Sequence, residues 1–170
     1  MPLFNLLYNA ATKFTALLRL LVASAVIFFY GYMAIAVLLQ VFSRYIFNYS
    51  IDWATESATF SQIWMVMLAA GIAMRRQLHV GVDVLTQRLP IALQRMLILL
   101  VTVLCCWFLW VAITGSFRLI KIGFIQTSPA LGMPMWLPYL SLPIGLSYFA
   151  FEFLLAMTQR WRNPSLSSAR

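Results

Sequence analysis

Four long apolar runs, separated by polar segments, dominate the pattern of this sequence. Each run holds about 20 residues with at most one charged side chain, and about 20 residues of α-helix are enough to cross the hydrocarbon core of a bilayer. The pattern therefore predicts an all-α membrane protein with four transmembrane helices. The four spans are roughly residues 20–43, 57–74, 96–117 and 136–157.

Two shorter amphipathic patterns flank these spans. Before span one, apolar and polar residues fall on opposite helical faces, which favours an N-terminal interfacial amphipathic helix over a frayed terminus. Between spans two and three, Asp83 could cap a short amphipathic helix. The N-terminal apolar face is Leu3, Leu7, Ala10, Phe14 and Leu17, its polar face is Asn5, Asn9, Thr12 and Lys13, and the leucines of the second pattern are Leu85, Leu89 and Leu93.

Residues within and beside the runs refine the four spans. Span one is too long for the 7–15-residue apolar region that is typical of a signal peptide, so we expect it to be retained. Small residues of span two, including Ala70 and Gly71, would allow another helix to approach closely. Span four should begin irregularly at Pro134, Pro138 and Pro143, because proline ends or kinks a helix.

The composition indicates one membrane domain. Of the 170 residues, 63% are hydrophobic and 9% are charged, with a mean hydropathy of +0.88, whereas a soluble domain carries about 25% charged residues. We therefore expect a single integral membrane domain over residues 1–162, followed by a short polar tail at 163–170. The net charge of +8 is too thinly spread to indicate nucleic-acid binding.

The basic residues predict the orientation of the spans. Nine lie in the terminal segments and between spans two and three, and only Arg44, Arg118 and Lys121 lie on the opposite side. The positive-inside rule places both termini in the cytoplasm, together with the short helix between spans two and three. Five of the nine are expected to bind lipid phosphates: Arg19, Arg75, Arg76, Arg160 and Arg162.

The residue types that usually carry chemistry are sparse. His79 is the only histidine, and both a haem anchor and a catalytic relay need a second group beside it. A hydrogen bond or a partner contact is the better interpretation. Cys105 and Cys106 are adjacent in an apolar run, so we expect neither a disulfide nor a metal site. No catalytic, metal or substrate-binding residue is predicted, and the chain is not expected to be an enzyme.

Glu152 is the one charged residue inside a predicted span. A carboxylate in the middle of a membrane helix is costly, so such residues are usually paired or functional. Three interpretations stay open for this residue. Its side chain could bind another helix through an ion pair or hydrogen bond, extend to the headgroups, or couple transport to protons.

Several residues at the outer side and in the middle of the membrane could contact other proteins. Asp52 and Glu56 begin span two, where they complement the helix dipole or bind a partner. Trp107 and Trp110 lie near the middle of span three, and indole rings at this depth favour packing against another protein over contact with lipid alone. Four spans with one buried charge can hardly enclose a solute site, so the chain is predicted to be part of a larger assembly.

One ordered set of motifs resembles a known family. Its elements are Arg44-Tyr45 and Phe47-Asn48 at the end of span one, Trp53 and Glu56 at the start of span two, Arg75-Arg76, His79 and Asp83 after span two, and SPALGMPMWLPYLSLPIG leading into span four. This set, from about Arg44 to Gly145, resembles the small membrane subunit (the Q subunit, DctQ-like) of tripartite ATP-independent periplasmic (TRAP) transporters.

The resemblance implies a fixed scaffold in the bacterial or archaeal cytoplasmic membrane. The scaffold would brace a large elevator-type subunit (M subunit), which would hold the sodium ions and the substrate, an organic anion such as a C4-dicarboxylate or sialic acid. A periplasmic substrate-binding protein (P subunit) would dock on the outer side. Candidates for the large-subunit interface are Trp64, Trp107, Trp110, Glu152, His79 and Asp83, and candidates for docking are Asp52, Glu56, Arg118, Lys121 and Ser128.

The main alternative is a self-sufficient small four-helix exporter that uses Glu152. Such exporters are shorter and carry their essential acid in the first helix, whereas Glu152 lies in the last span. A redox membrane anchor and an intramembrane enzyme are less favoured, because the first needs a second histidine and the second a nucleophile–base pair.

Overall fold

A computed structural model describes residues 2–75 and 90–162 of the chain. In these two ranges the chain forms helices and a single isolated bridge between Thr127 and Pro134. Within the described ranges, four segments are long and apolar enough to cross a membrane, which confirms the prediction of an all-α protein with four spans: Thr12–Ile46, Asp52–Arg75, Leu93–Gly123 and Trp136–Thr158. The helices are α1 (Pro2–Ile46), α2 (Asp52–Arg75), α3 (Ile91–Gly123), α4 (Trp136–Tyr139) and α5 (Ser141–Arg162).

Helix α1 is longer than the span predicted within it. Its 45 residues would extend about 67 Å, more than twice the roughly 30 Å of a bilayer core. The interfacial helix predicted before span one is not a separate element, because the chain runs as one α-helix from Pro2 through the span. No glycine or proline occurs between Pro2 and Gly31, so the residues that usually kink or end a helix are missing there.

The chain divides into two compact units, and the first is Met1–Ala69. Inside this unit Trp64 of α2 stacks on Phe29 of α1, with ring centroids 5.8 Å apart. Helix α1 ends at a short turn in which Asn48 adopts a positive φ of 54°. The buried Ser43 stabilises this turn, because its hydroxyl donates to the Tyr49 carbonyl at 2.9 Å.

The second unit is Ala70–Arg170 and contains the end of α2 together with α3, α4 and α5. Its core is a cluster of Met74, Phe153 and Ala156, against which Cys105 and Cys106 of α3 pack. Both cysteines are free thiols. They serve as packing residues of this core. The prediction that residues 1–162 form a single domain stays a prediction.

A tight turn connects α3 to α4. The Ser128 and Met135 amides donate to the carbonyls of Met133 and Gln126, at 2.8 and 2.9 Å. Gly132 has a φ of 65°, a conformation that favours glycine. The expected irregular start of span four is found here, because the four-residue helix α4 ends at Tyr139 and α5 begins at Ser141.

Candidate functional site

Glu152 is the charged side chain that the described part of the chain buries, with 1% of its surface exposed. The Tyr148 hydroxyl donates a hydrogen bond to Glu152 Oε1 at 3.2 Å. The two residues are four apart in α5, so they lie on the same face of that helix. This hydrogen bond is made within α5, so the three interpretations of Glu152, among them a bond to another helix, stay predictions.

The ring of Tyr148 packs against a glycine of another helix. A Cβ atom added at Gly71 of α2 would overlap the ring of Tyr148. The ring therefore occupies the space that any other residue at position 71 would fill. The sequence pointed to small residues such as Gly71 as a site of close helix approach, but it did not single out Tyr148 as the partner. The available signal was its spacing of four residues from Glu152.

The three tryptophans proposed for a partner interface differ in their surroundings. Trp107 and Trp110 of α3 are 72% and 68% exposed. Trp64 is half-buried and already stacked on Phe29 within the first unit. The two α3 indoles thus present a large aromatic surface outside the protein, whereas Trp64 stabilises the packing of α1 and α2.

The docking candidates of the first unit lie at the start of α2. Asp52 is exposed, and its Oδ1 accepts a hydrogen bond from the Ser50 hydroxyl at 2.9 Å. Glu56 follows one helical turn later and is half-buried. Both acids lie near the N-terminus of the helix, where the helix dipole stabilises negative charge.

The docking candidates of the second unit lie around the end of α3. Arg118 and Lys121 are exposed and one turn apart, so they form a small basic surface. Ser128 differs from them, because it is only 3% exposed and its Oγ accepts a hydrogen bond from the Leu131 amide at 3.2 Å. It stabilises the turn from within and offers little surface to a partner.

The lipid-phosphate candidates fall at helix ends or outside the described residues. Arg19 is half-buried in α1, and Arg75 is the exposed last residue of α2. Arg160 and Arg162 lie at the C-terminal end of α5. Arg76, His79 and Asp83, together with the short helix predicted between spans two and three, lie outside the described residues.

The described ranges, 2–75 and 90–162, offer no site for a metal ion. No group of three or more histidine, cysteine, aspartate or glutamate side chains is close enough there to bind one. The polar features found are a buried tyrosine–glutamate pair, a basic patch at the end of α3 and acids at the start of α2. These features suit helix packing and protein contacts.

Comparison with known proteins decides the family. Residues 33–163 match the family described as "Tripartite ATP-independent periplasmic transporters, DctQ component". The chain belongs to the DctQ family. This confirms the resemblance seen in the sequence, and it makes the chain a multi-pass transport subunit rather than an enzyme.

Three relatives show the range of similarity within this family. The chain is 30% identical over 151 residues to the C4-dicarboxylate TRAP transporter small permease protein DctQ of Vibrio cholerae, over 75% of this chain and 65% of the relative. It is 36% identical over 107 residues to the protein of the same name from Rhodobacter capsulatus, over 62% of this chain and 47% of the relative. It is 34% identical over 104 residues to the isethionate TRAP transporter permease protein DctMQ of Oleidesulfovibrio alaskensis, over 60% of this chain and 16% of the relative. The chain thus spans two thirds or less of the length of these relatives.

Proposed function

We propose that this chain is the scaffold subunit of a sodium-coupled, binding-protein-dependent importer of a small organic anion. The observation that carries this proposal is the burial of Glu152 against Tyr148. The ionisable group buried in the described spans is a carboxyl group that already accepts a hydrogen bond, and a carboxyl group offers no positive charge to bind an anionic solute. The solute is therefore bound and transported by another subunit, and this chain supports that subunit in the membrane.

The names of the relatives support the proposed substrate class. Two of them are named for C4-dicarboxylates and one for isethionate. We extend the same chemistry, a small solute with a carboxylate or sulfonate group, to the transporter that contains this chain. C4-dicarboxylates, sialic acid and similar carboxylates are the solutes to be tested first.

The proposed partner in the membrane is a large M subunit. One relative carries the combined name DctMQ, and this chain matches 16% of it, which suits a small subunit joined to a larger one. The exposed Trp107 and Trp110 are the proposed contact on α3. Replacing both by alanine should reduce co-purification of the M subunit in detergent, whereas replacing both by phenylalanine should retain most of it. Full co-purification of the alanine variant would mean that these indoles face lipid.

The proposed partner outside the membrane is a substrate-binding P subunit. Charge reversal at Arg118 and Lys121 should weaken its binding, because exposed charges steer and orient association. Reversal at Asp52 and Glu56 should have a similar effect if the start of α2 also contacts it. Arg95→Glu is the matched control, since Arg95 is an exposed basic residue near the opposite end of α3. Unchanged affinity for all four reversals would exclude these residues from the contact.

The whole proposal is tested by uptake into liposomes. This chain with its M and P subunits should accumulate a labelled C4-dicarboxylate or sialic acid when a sodium gradient is imposed, and the chain alone should accumulate none. The alternative, a small exporter that uses Glu152, predicts transport by the chain alone that Glu152→Gln abolishes. Such a result would overturn the scaffold function.

A further inference from the structure

Tyr148 contacts both a glycine of α2 and the buried acid of α5. Its ring lies against Gly71, its hydroxyl donates to Glu152, and only 6% of its surface is exposed. We propose that Tyr148 is an intramembrane latch, which fastens the C-terminal end of α2 to α5. This inference concerns the internal mechanics of the subunit and does not depend on which solute is transported.

The latch combines a steric and a polar requirement. The ring can approach α2 only because position 71 has no Cβ. The hydroxyl then lies on the same helical face as the carboxyl group of Glu152, one turn away. A carboxyl group in hydrocarbon is unfavourable unless it is hydrogen-bonded, so the position of the ring and the hydrogen bond to Glu152 depend on each other.

The core cluster of the second unit lies directly beside the latch. Met74 is one turn after Gly71 in α2, and Phe153 and Ala156 follow Glu152 in α5. Cys105 and Cys106 of α3 pack against this cluster and are the only cysteines in the sequence. If the latch opens, we expect the cluster to loosen and the two thiols to become more reactive. The reactivity of Cys105 and Cys106 therefore reports whether the latch is closed.

The test measures how fast N-ethylmaleimide alkylates the cysteines of the full chain in membranes. Tyr148→Phe keeps the ring against Gly71 but removes the donor, and Tyr148→Leu removes both the ring and the donor. We expect alkylation about 2- to 5-fold faster for the phenylalanine variant and at least 10-fold faster for the leucine variant, since a factor of 10 corresponds to a change of about 1.4 kcal/mol in an opening equilibrium. Tyr30→Phe and Tyr30→Leu are matched controls, because Tyr30 of α1 is 58% exposed.

Substitutions of Glu152 separate a specific hydrogen bond from general packing. Glu152→Gln retains an oxygen that accepts a hydrogen bond from the tyrosine hydroxyl. The alkylation rate of this variant should therefore stay within 2-fold of the rate of the unmodified chain. Glu152→Leu should accelerate alkylation, and Tyr148→Phe combined with Glu152→Leu should accelerate it by less than the product of the two single effects. The latch would be contradicted if the cysteines of Tyr148→Leu were alkylated at the wild-type rate. It would also be contradicted if the increase in the double variant equalled the product of the two single increases.

Discussion

Gly123 lies so close to Trp136 that a Cβ atom at position 123 would stand 2.7 Å from the Trp136 amide nitrogen and 2.8 Å from Tyr139 Cδ2. The closest of these atoms belongs to the backbone, which cannot rotate away as a flexible side chain can. The end of α3 therefore packs directly on the start of α4. The adjacent Phe124 extends this contact, because its ring stacks on that of Trp136 with centroids 5.4 Å apart.

The first prediction is that Gly123→Ala destabilises the protein. Alanine must displace either the Trp136 backbone or the end of α3, and overpacking of this kind typically costs about 1–3 kcal/mol. The measurement is the free energy of unfolding of the purified chain in detergent. Gly115→Ala is the matched control in the same helix, because no atom lies within 4 Å of a Cβ at that position. The control should be neutral or slightly stabilising, since alanine is the better helix former by up to about 1 kcal/mol. Equal changes in unfolding free energy for Gly123→Ala and Gly115→Ala would contradict the close packing of Gly123 on Trp136.

The second prediction applies the same comparison to α2. Gly71→Ala should lower the unfolding free energy by about 1–3 kcal/mol, because the new methyl group would overlap the ring of Tyr148. Gly31→Ala in α1 is the control, since its Cβ would meet open space. If Gly71→Ala proves as stable as Gly31→Ala, the close approach of Tyr148 to α2 is absent from the folded protein.

The third prediction concerns the turn that ends α1. Asn48 has a positive φ of 54°, which asparagine and glycine adopt more readily than other residues. Asn48→Gly should therefore change stability by less than about 0.5 kcal/mol, whereas Asn48→Val should destabilise by about 1–2 kcal/mol. Thermal unfolding of the two variants side by side checks this difference. Valine tolerated as well as glycine would mean that the turn is not held in this conformation.

The four spans were readable from the sequence because backbone hydrogen bonding leaves lipid-exposed segments few alternatives to a helix. The exact ends of the helices could not be predicted from the sequence. Hydropathy detects only the apolar part of each span, but the helices continue through their polar ends. Helix α2 begins at Asp52, where the N-terminal acids were expected, although the apolar run that defined span two starts only at residue 57; α1 extends from Pro2 to Ile46 without a break.

The candidate site was only partly readable for a different reason. A buried acid in a span stands out in any sequence, so Glu152 was found. Its hydrogen-bond donor was not identified, because the four-residue spacing places Tyr148 on the same helical face without showing that the two side chains meet. Ser128 shows the opposite difficulty. It was proposed as a docking residue, but the inward orientation of its hydroxyl toward the Leu131 amide depends on local backbone geometry. Burial and side-chain direction at such positions are tertiary properties.

The fourth prediction tests the orientation of the chain in the membrane. In a background with Cys105→Ala and Cys106→Ala, single cysteines are introduced as Arg95→Cys and Gln126→Cys, two exposed positions that flank the span predicted at residues 96–117. A membrane-impermeant maleimide added to intact cells should label position 126 and not position 95. The reason is that nine of the twelve basic residues lie on the side that contains Arg95, which the positive-inside rule assigns to the cytoplasm. Permeabilised cells provide the control, since both positions should then react. Labelling of position 95 alone in intact cells would reverse the orientation, and it would also place Arg118 and Lys121 on the wrong side of the membrane to bind a periplasmic protein.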